Sequence, residues 1–222
     1  MESDNTNRLS LILASQSPRR KELLGWVGIP FEQFPVDILE KSSLTSPQEV
    51  AEDIAVQKGD EAYRQLRSRE GFGKTFFPCV VSSDTIVCLD TKIMGKPGDV
   101  NEARAMLKEL AGRLHTVVTG VYIILVDPRD GKEKSVVFSS TTDVEFDQIS
   151  EDVLEEYLQT GDSLDKAGSY GIQGPSLTFI KSVHGSYSNV VGFPLNEFIK
   201  ELKALLTSSR DDKGEWRNLF HD

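Results

Sequence analysis

No stretch of this 222-residue chain approaches the roughly 20 consecutive apolar residues that a bilayer-spanning helix needs, so a membrane-spanning role is not expected. Cysteine and histidine are scarce, with two and three copies. Cys79 and Cys88 fall in or beside one apolar, strand-like run, which reads as small core residues in a reducing compartment rather than a disulfide or a metal site. The histidines are scattered and compose no zinc pattern. Positive charge is also short: 25 Lys+Arg stand against 35 Asp+Glu, a formal net charge of −10. A protein that coats DNA or RNA relies on a basic surface to displace counterions, so nucleic acid is not an expected partner. Neither G-x-S-x-G nor H-E-x-x-H occurs. Gly73-Lys74-Thr75 looks like the end of a phosphate-binding P-loop, but Ser68 stands where the opening glycine belongs and no strand precedes it. The polar, acidic start Met1 to Asn7 and the short apolar stretch Leu9 to Ala14 do not make a secretory signal, and a cytosolic location is expected.

What is present is a globular composition, 38% hydrophobic and 27% charged, in a chain long enough for one large core or two modest lobes. Leu9 to Ala14 reads as a buried strand, followed by a Ser15-Gln16-Ser17 turn and a helix opening at Pro18 with Ser17 as its N-cap. A strand fits Pro30 to Phe34. Ser46-Pro47-Gln48-Glu49 has capping-box spacing for a long helix with Val50, Ile54, Ala55 and Ala62 on its apolar stripe. Cys79 to Leu89 is the strongest strand pattern. Asp99 to Glu102 repeats the capping pattern ahead of a helix that stops at Gly112. The stretches His115 to Val126 and Ser135 to Phe146 flank an Asp127 to Gly131 turn and predict an antiparallel hairpin. Ser150 is expected to cap a further helix, Gly161 to Gly174 is Gly-rich, Leu177 to Val183 reads as a strand, and the last helix opens at Pro194. Three stretches result: a polar extension over 1–8, the main domain over 9–206, and a polar tail over 207–222 in which Trp216, Leu219 and Phe220 could dock. The fold class is α/β: an elongated mixed β-sheet with flanking helices, bent into two lobes around a central cleft.

Several residues stand out chemically. Ser15 to Arg20 places a small-residue turn, a helix N-terminus with free N–H groups and two guanidinium groups together, which suits an anion. The competing reading is a capped helix whose Arg19 and Arg20 pair with surface carboxylates. Asp84 interrupts an otherwise apolar strand; an unpaired buried carboxylate costs several kcal/mol, so it should face a cation, a metal or a cleft. Lys58 beside its helix stripe, Lys96 in Gly95-Lys96-Pro97 and Glu40 in a polar loop carry little meaning alone. The run Ala167 to Gly174 permits close backbone approach and displays one amide, Gln173.

Taken together, Leu11 to Leu24, Ser83-Asp84-Thr85, Gly95-Lys96-Pro97, Asp165 to Gly174 and Asn189 to Leu195 resemble the Maf family in order and spacing, from about Leu9 to Leu206. The resemblance implies a fold related to the inosine triphosphate pyrophosphatases and hydrolysis of a nucleoside triphosphate between the α and β phosphates, with Mg²⁺ or Mn²⁺ as cofactor. It implies Asp84 as general base and Ser15, Ser17, Arg19, Arg20, Lys58 and Lys96 as phosphate-binding residues. Glu40 and Asp84 fall at the metal positions, and Arg19, Thr85 and Gln173 at those that discriminate substrates. Acids are sparser here around Asp37 to Leu39 than the family pattern has them. The paired arginines and the Tyr170 to Gly174 loop are similar to the branch acting on dTTP, UTP and modified pyrimidines. Alternatives are 7-methyl-GTP or a non-canonical purine nucleotide as substrate, or a catalytically idle nucleotide-binding regulator of cell division. A small-molecule triphosphate is the expected partner, and a homodimer is among the assemblies left open.

Overall fold

The computed structural model describes residues 8–207 and 215–221. Its frame is one seven-stranded mixed sheet in the order β2-β1-β3-β5-β6-β7, with β4 paired to β3. The strands are β1 (Leu9–Leu13), β2 (Phe31–Gln33), β3 (Phe77–Leu89), β4 (Lys92–Met94), β5 (Leu114–Val126), β6 (Glu133–Phe146) and β7 (Ile180–His184). β1 runs parallel to β2 and β3, across connections that contain helices α1 (Pro18–Gly25) and α2 (Pro47–Leu66). All other pairings are antiparallel, including the hairpin β5–β6 that the Asp127 turn predicted. The remaining helices are α3 (Val100–Leu110), α4 (Glu151–Gln159), α5 (Tyr187–Val191) and α6 (Leu195–Leu206).

β3 is flanked by β1 and β5, and every residue of its 13 but Thr85 is buried. A strand covered on both faces reads as a continuous apolar run rather than an alternating one, which is why its pattern dominated the sequence. Its two ends enter different cores. Cys79, Val80 and Val81 join a larger apolar cluster with Leu11, Leu13, Val121, Phe193 and Phe198. Val87 and Leu89 join a second with Leu107, Leu110, Phe146, Tyr157 and Phe179. The polar stretch Ser82 to Thr85 lies between them, at the seam of two lobes.

α2 approaches this seam closely because two glycines leave room for it. A Cβ on Gly120, the β5 partner of Asp84, would lie 2.3 Å from the carbonyl group of Ala51, and one on Gly59 would lie 2.5 Å from the Tyr122 ring. Cys79 and Cys88 are both buried and free. Nine residues of extended strand separate them by about 30 Å, which rules out a disulfide between them.

The structure corrects two local readings. Leu177 to Val183 is not one strand: Pro175–Thr178 forms a 3₁₀ turn and β7 begins only at Ile180. Ser46 and Ser150 occupy the N-cap positions of α2 and α4 without a side-chain cap bond, and the Ser46 hydroxyl donates to Gln48 Oε1 instead. Beyond α6, Trp216 and Phe220 are buried in the larger core, Phe220 bridges to Leu9, and Arg217 Nη1 donates to the Val27 carbonyl at 2.5 Å. Among the described residues no helix is long and apolar enough to cross a membrane.

Candidate active site

Every residue that the resemblance assigns to phosphate, metal, catalysis or substrate choice lines one cleft of about 390 Å³, a size that suits a small-molecule ligand. Ser15, Ser17, Arg19 and Arg20 come from the β1–α1 turn, Glu40 from the loop before α2, and Lys58 from α2 itself. Asp84 and Thr85 lie on β3, Lys96 follows β4, and Gln173 sits in the Gly-rich loop. The lining holds the cations Arg19, Arg20, Lys58, Lys96 and Lys166 against the carboxylates Asp37, Glu40, Asp84 and Asp165. The cleft is therefore near neutral inside a chain of net charge −10, which removes much of the repulsion that an anionic ligand would meet.

The β1–α1 turn is tied down by its own hydroxyls. Ser15 Oγ accepts from Ser17 N at 3.2 Å, and Ser17 Oγ caps α1 by accepting from Arg20 N at 3.4 Å. Arg20 is fixed from three sides: Nε donates to the Gly192 carbonyl (3.0 Å), Nη2 to Thr85 Oγ1 (3.1 Å) and Nη1 to Ser15 Oγ (3.5 Å). Burial lowers its pKa, while the Asp84 charge works the other way. Arg20 thus departs from the surface-pair reading. Arg19 follows it, with Nη1 at 3.2 Å from Asp165 Oδ2.

The Gly192 carbonyl that receives Arg20 is placed by a residue whose role the sequence did not disclose. Asn189 is fully buried; its Nδ2 donates to the Val117 carbonyl and to Thr142 Oγ1, and its carbonyl accepts from Thr119 Oγ1. Gly192 then adopts a left-handed φ of 116° that closes α5. Thr85 Oγ1 is engaged by Arg20 and lies 3.0 Å from Thr119 Oγ1.

Alternation along β3 sends Ser82 and Asp84 toward α2. Ser82 Oγ donates to the Ala55 carbonyl at 2.6 Å, and Asp84 Oδ1 accepts from Lys58 Nζ at 2.7 Å. Lys58 does not snorkel to water. Its ammonium lies between Asp84 Oδ1 and Glu40 Oε1, 2.7 Å from each. Burial raises the Glu40 pKa, but the hydrogen bond and charge of Lys58, with Lys96 and Arg20, outweigh it and hold the carboxyl below its ordinary value. Among the described residues no group of three or more His, Cys, Asp or Glu is arranged to hold a metal ion; of the carboxylates lining the cleft, Glu40 and Asp84 meet at the Lys58 ammonium.

The Gly-rich loop packs onto β3. Gly168 has φ 66° and stands where a Cβ would come within 2.9 Å of Val87, and its N–H donates to the Gly95 carbonyl, which ties the loop to the turn that carries Lys96. Lys96 is exposed and forms no ion pair among the described residues. Tyr170 is buried with its hydroxyl 2.7 Å from His115 Nε2, and Phe146 packs edge-on against both rings.

Residues 10–205 match the family model described as Maf-like protein. The chain is 39% identical over 199 residues to a dTTP/UTP pyrophosphatase of Agathobacter rectalis, covering 88% of this chain and 97% of that relative. It is 42% identical over 195 residues to a dTTP/UTP pyrophosphatase of Thermococcus onnurineus, with coverage of 88% and 97%. A third dTTP/UTP pyrophosphatase, from Bacillus cereus, is 37% identical over 201 residues, with coverage of 90% and 92%. With a family model spanning nearly the whole chain and relatives this similar over almost their full length, the chain belongs to the Maf-like protein family.

Proposed function

We propose that this chain is a nucleoside triphosphate pyrophosphatase that hydrolyses dTTP, UTP and modified pyrimidine triphosphates to the monophosphate and pyrophosphate. The relatives reported above are named dTTP/UTP pyrophosphatases, which supports the dTTP and UTP part of this reading. The observation that carries the reading is Asp84: a carboxylate inside an apolar strand, facing a cleft that also holds five cations. In this reading Asp84 accepts a proton from a water that attacks the α-phosphorus in line, and pyrophosphate departs. Arg20, Lys58 and Lys96 hold phosphate oxygens. Arg19 joins them by exchanging its single contact with the Asp165 carboxylate for phosphate, whose oxygens can occupy both arms of its fork. Ser15 and Ser17 hold the turn that presents them.

The donor set fits a divalent cation bound together with substrate. Asp84 and Glu40 converge on one point, now the Lys58 ammonium, and an ion such as Mg²⁺ typically takes one or two carboxylates and completes its shell with phosphate oxygens and water. Mg²⁺ or Mn²⁺ bound there would neutralise charge on the triphosphate. Gln173, exposed at the cleft, supplies one acceptor and one donor pair, which match N3–H and O4 of uracil or thymine. Two buried, unpaired cysteines suit a reducing compartment, so we place the activity in the cytosol.

The test is metal-dependent pyrophosphate release across UTP, dTTP, CTP, pseudouridine triphosphate, 7-methyl-GTP and ITP. Preference for UTP and dTTP is expected. Preference for 7-methyl-GTP or ITP would move the chain to a purine-directed activity, and no turnover of any of them would leave a nucleotide-binding protein without catalysis.

A further inference from the structure

Lys166 lines the same cleft as the phosphate-binding cations, yet its bonding sets it apart. An ammonium has three N–H donors. Those of Lys166 meet the Asp162 carbonyl at 2.7 Å, Asp162 Oδ1 at 2.8 Å and Asp165 Oδ1 at 2.6 Å, and the side chain is only 11% exposed. Nothing is left over for a phosphate oxygen. The Gly-rich loop closes directly over this lysine: a Cβ on Gly171 would lie 2.5 Å from Lys166 Cε, and one on Gly174 would lie 3.4 Å from Asp162 Oδ2. Tyr157 of α4 brings its hydroxyl within 3.1 Å of Asp162 Oδ2 and 3.2 Å of the Ser169 carbonyl, so the pair is anchored to the helix as well as to the loop. Asp165 spans outward, with its second oxygen on Arg19.

From this geometry we infer that Lys166, with Asp162, is a positioning residue for base selection: the pair fixes the loop Gly168 to Gly174 at the height where Gln173 meets the nucleobase. This rests on the proposed reading of Gln173. Gly171 follows from the same arrangement, because a Cβ there would meet the Lys166 stem at 2.5 Å and push the loop off its brace.

The test compares Lys166→Met, which keeps the buried stem and removes the ammonium, with Asp162→Asn, which keeps volume and removes the charge. Both are read as the ratio of kcat/KM for UTP to that for ATP, alongside inhibition by pyrophosphate. The expected result is a loss of that ratio on the order of tenfold in both variants, with pyrophosphate inhibition unchanged and kcat for UTP kept within about threefold. In a Gln173→Ala background, adding Lys166→Met should remove no further selectivity, because the lysine acts through the same contact. Equal loss on both nucleotides together with weakened pyrophosphate inhibition would make Lys166 a phosphate ligand and overturn the inference. So would a merely lower melting temperature with selectivity intact. Selectivity lost in Lys166→Met but kept in Gln173→Ala would retain the brace and remove Gln173 as the reader of the base.

Discussion

Lowering the pH from 7.5 to 5 should destabilise this protein by about 2 kcal/mol through His115 alone. The imidazole is buried between Phe146 and Tyr170 beneath the Gly-rich loop, and burial pushes its pKa from 6.5 down to about 4, against the opposing influence of the Arg113 backbone and the Asp143 charge. The folded state therefore stays neutral at pH 5 while the unfolded chain takes up a proton. The contribution is fully present above pH 6.5 and is lost as pH falls toward 4. One pKa unit is about 1.36 kcal/mol, and about 1.5 units of the window are crossed by pH 5. Carboxylates with lowered pKa, such as Glu40 and Asp165, lose their contribution only below their unfolded values, under pH 5, so the window isolates histidine. Urea denaturation at both pH values, on the wild type and on His115→Gln, reads the difference; the variant should show a flatter dependence by about 2 kcal/mol whatever its absolute stability. An identical pH dependence in the two proteins would refute the argument, as would an NMR titration placing His115 near 6.5.

Three further outcomes follow from the packing and the site. Asp84→Asn should fold, since Lys58 retains Glu40 as a partner, and should lose about 10²- to 10⁴-fold in pyrophosphate release; near-normal turnover in a folded variant would move the base elsewhere. Gly120→Ala should cost about 1–3 kcal/mol in urea denaturation and lower activity as well, because the new Cβ meets backbone of α2 and displaces Lys58; unchanged stability would mean that α2 does not lie this close to β5. Phe220→Ala should cost about 3–5 kcal/mol, read as a lower urea midpoint at constant slope, because the ring is 2% exposed within the larger core; a neutral result would show that the segment does not pack there.

Much of this was legible in the sequence because local chemistry and tertiary placement agree. Ser17 caps α1 and Asp99 caps α3 as their side chains allow, with Asp99 Oδ1 accepting from Glu102 N. The lone carboxylate in β3 stands out because a charge buried in an apolar strand needs a partner, and the structure places it on the cleft against Lys58. The clustering of the remaining residues came into view only with the resemblance, since Lys58, Lys96 and Glu40 sit on three separate elements and none carries a local signature. Other features depend on contacts distant in sequence. Asn189 is read only once β5 and β6 are seen beside it, across 72 and 47 residues. The start of β7 was misplaced because Pro175 to Thr178 keeps a tight turn under the loop, with Ser176 Oγ donating to the Gly171 carbonyl at 2.5 Å. Lys166 carries no signal of its own in the sequence; only the structure shows its ammonium engaged by Asp162 and Asp165.

The central claim, attack at the α-phosphorus with pyrophosphate as leaving group, is tested most directly by two UTP analogues offered to the wild-type protein with Mg²⁺ or Mn²⁺. The β,γ-imido analogue should be cleaved to UMP and imidodiphosphate, and the α,β-imido analogue should resist hydrolysis. Cleavage of the α,β-imido analogue with release of inorganic phosphate, and resistance of the β,γ-imido analogue, would place the chemistry at the γ-phosphate and contradict the account.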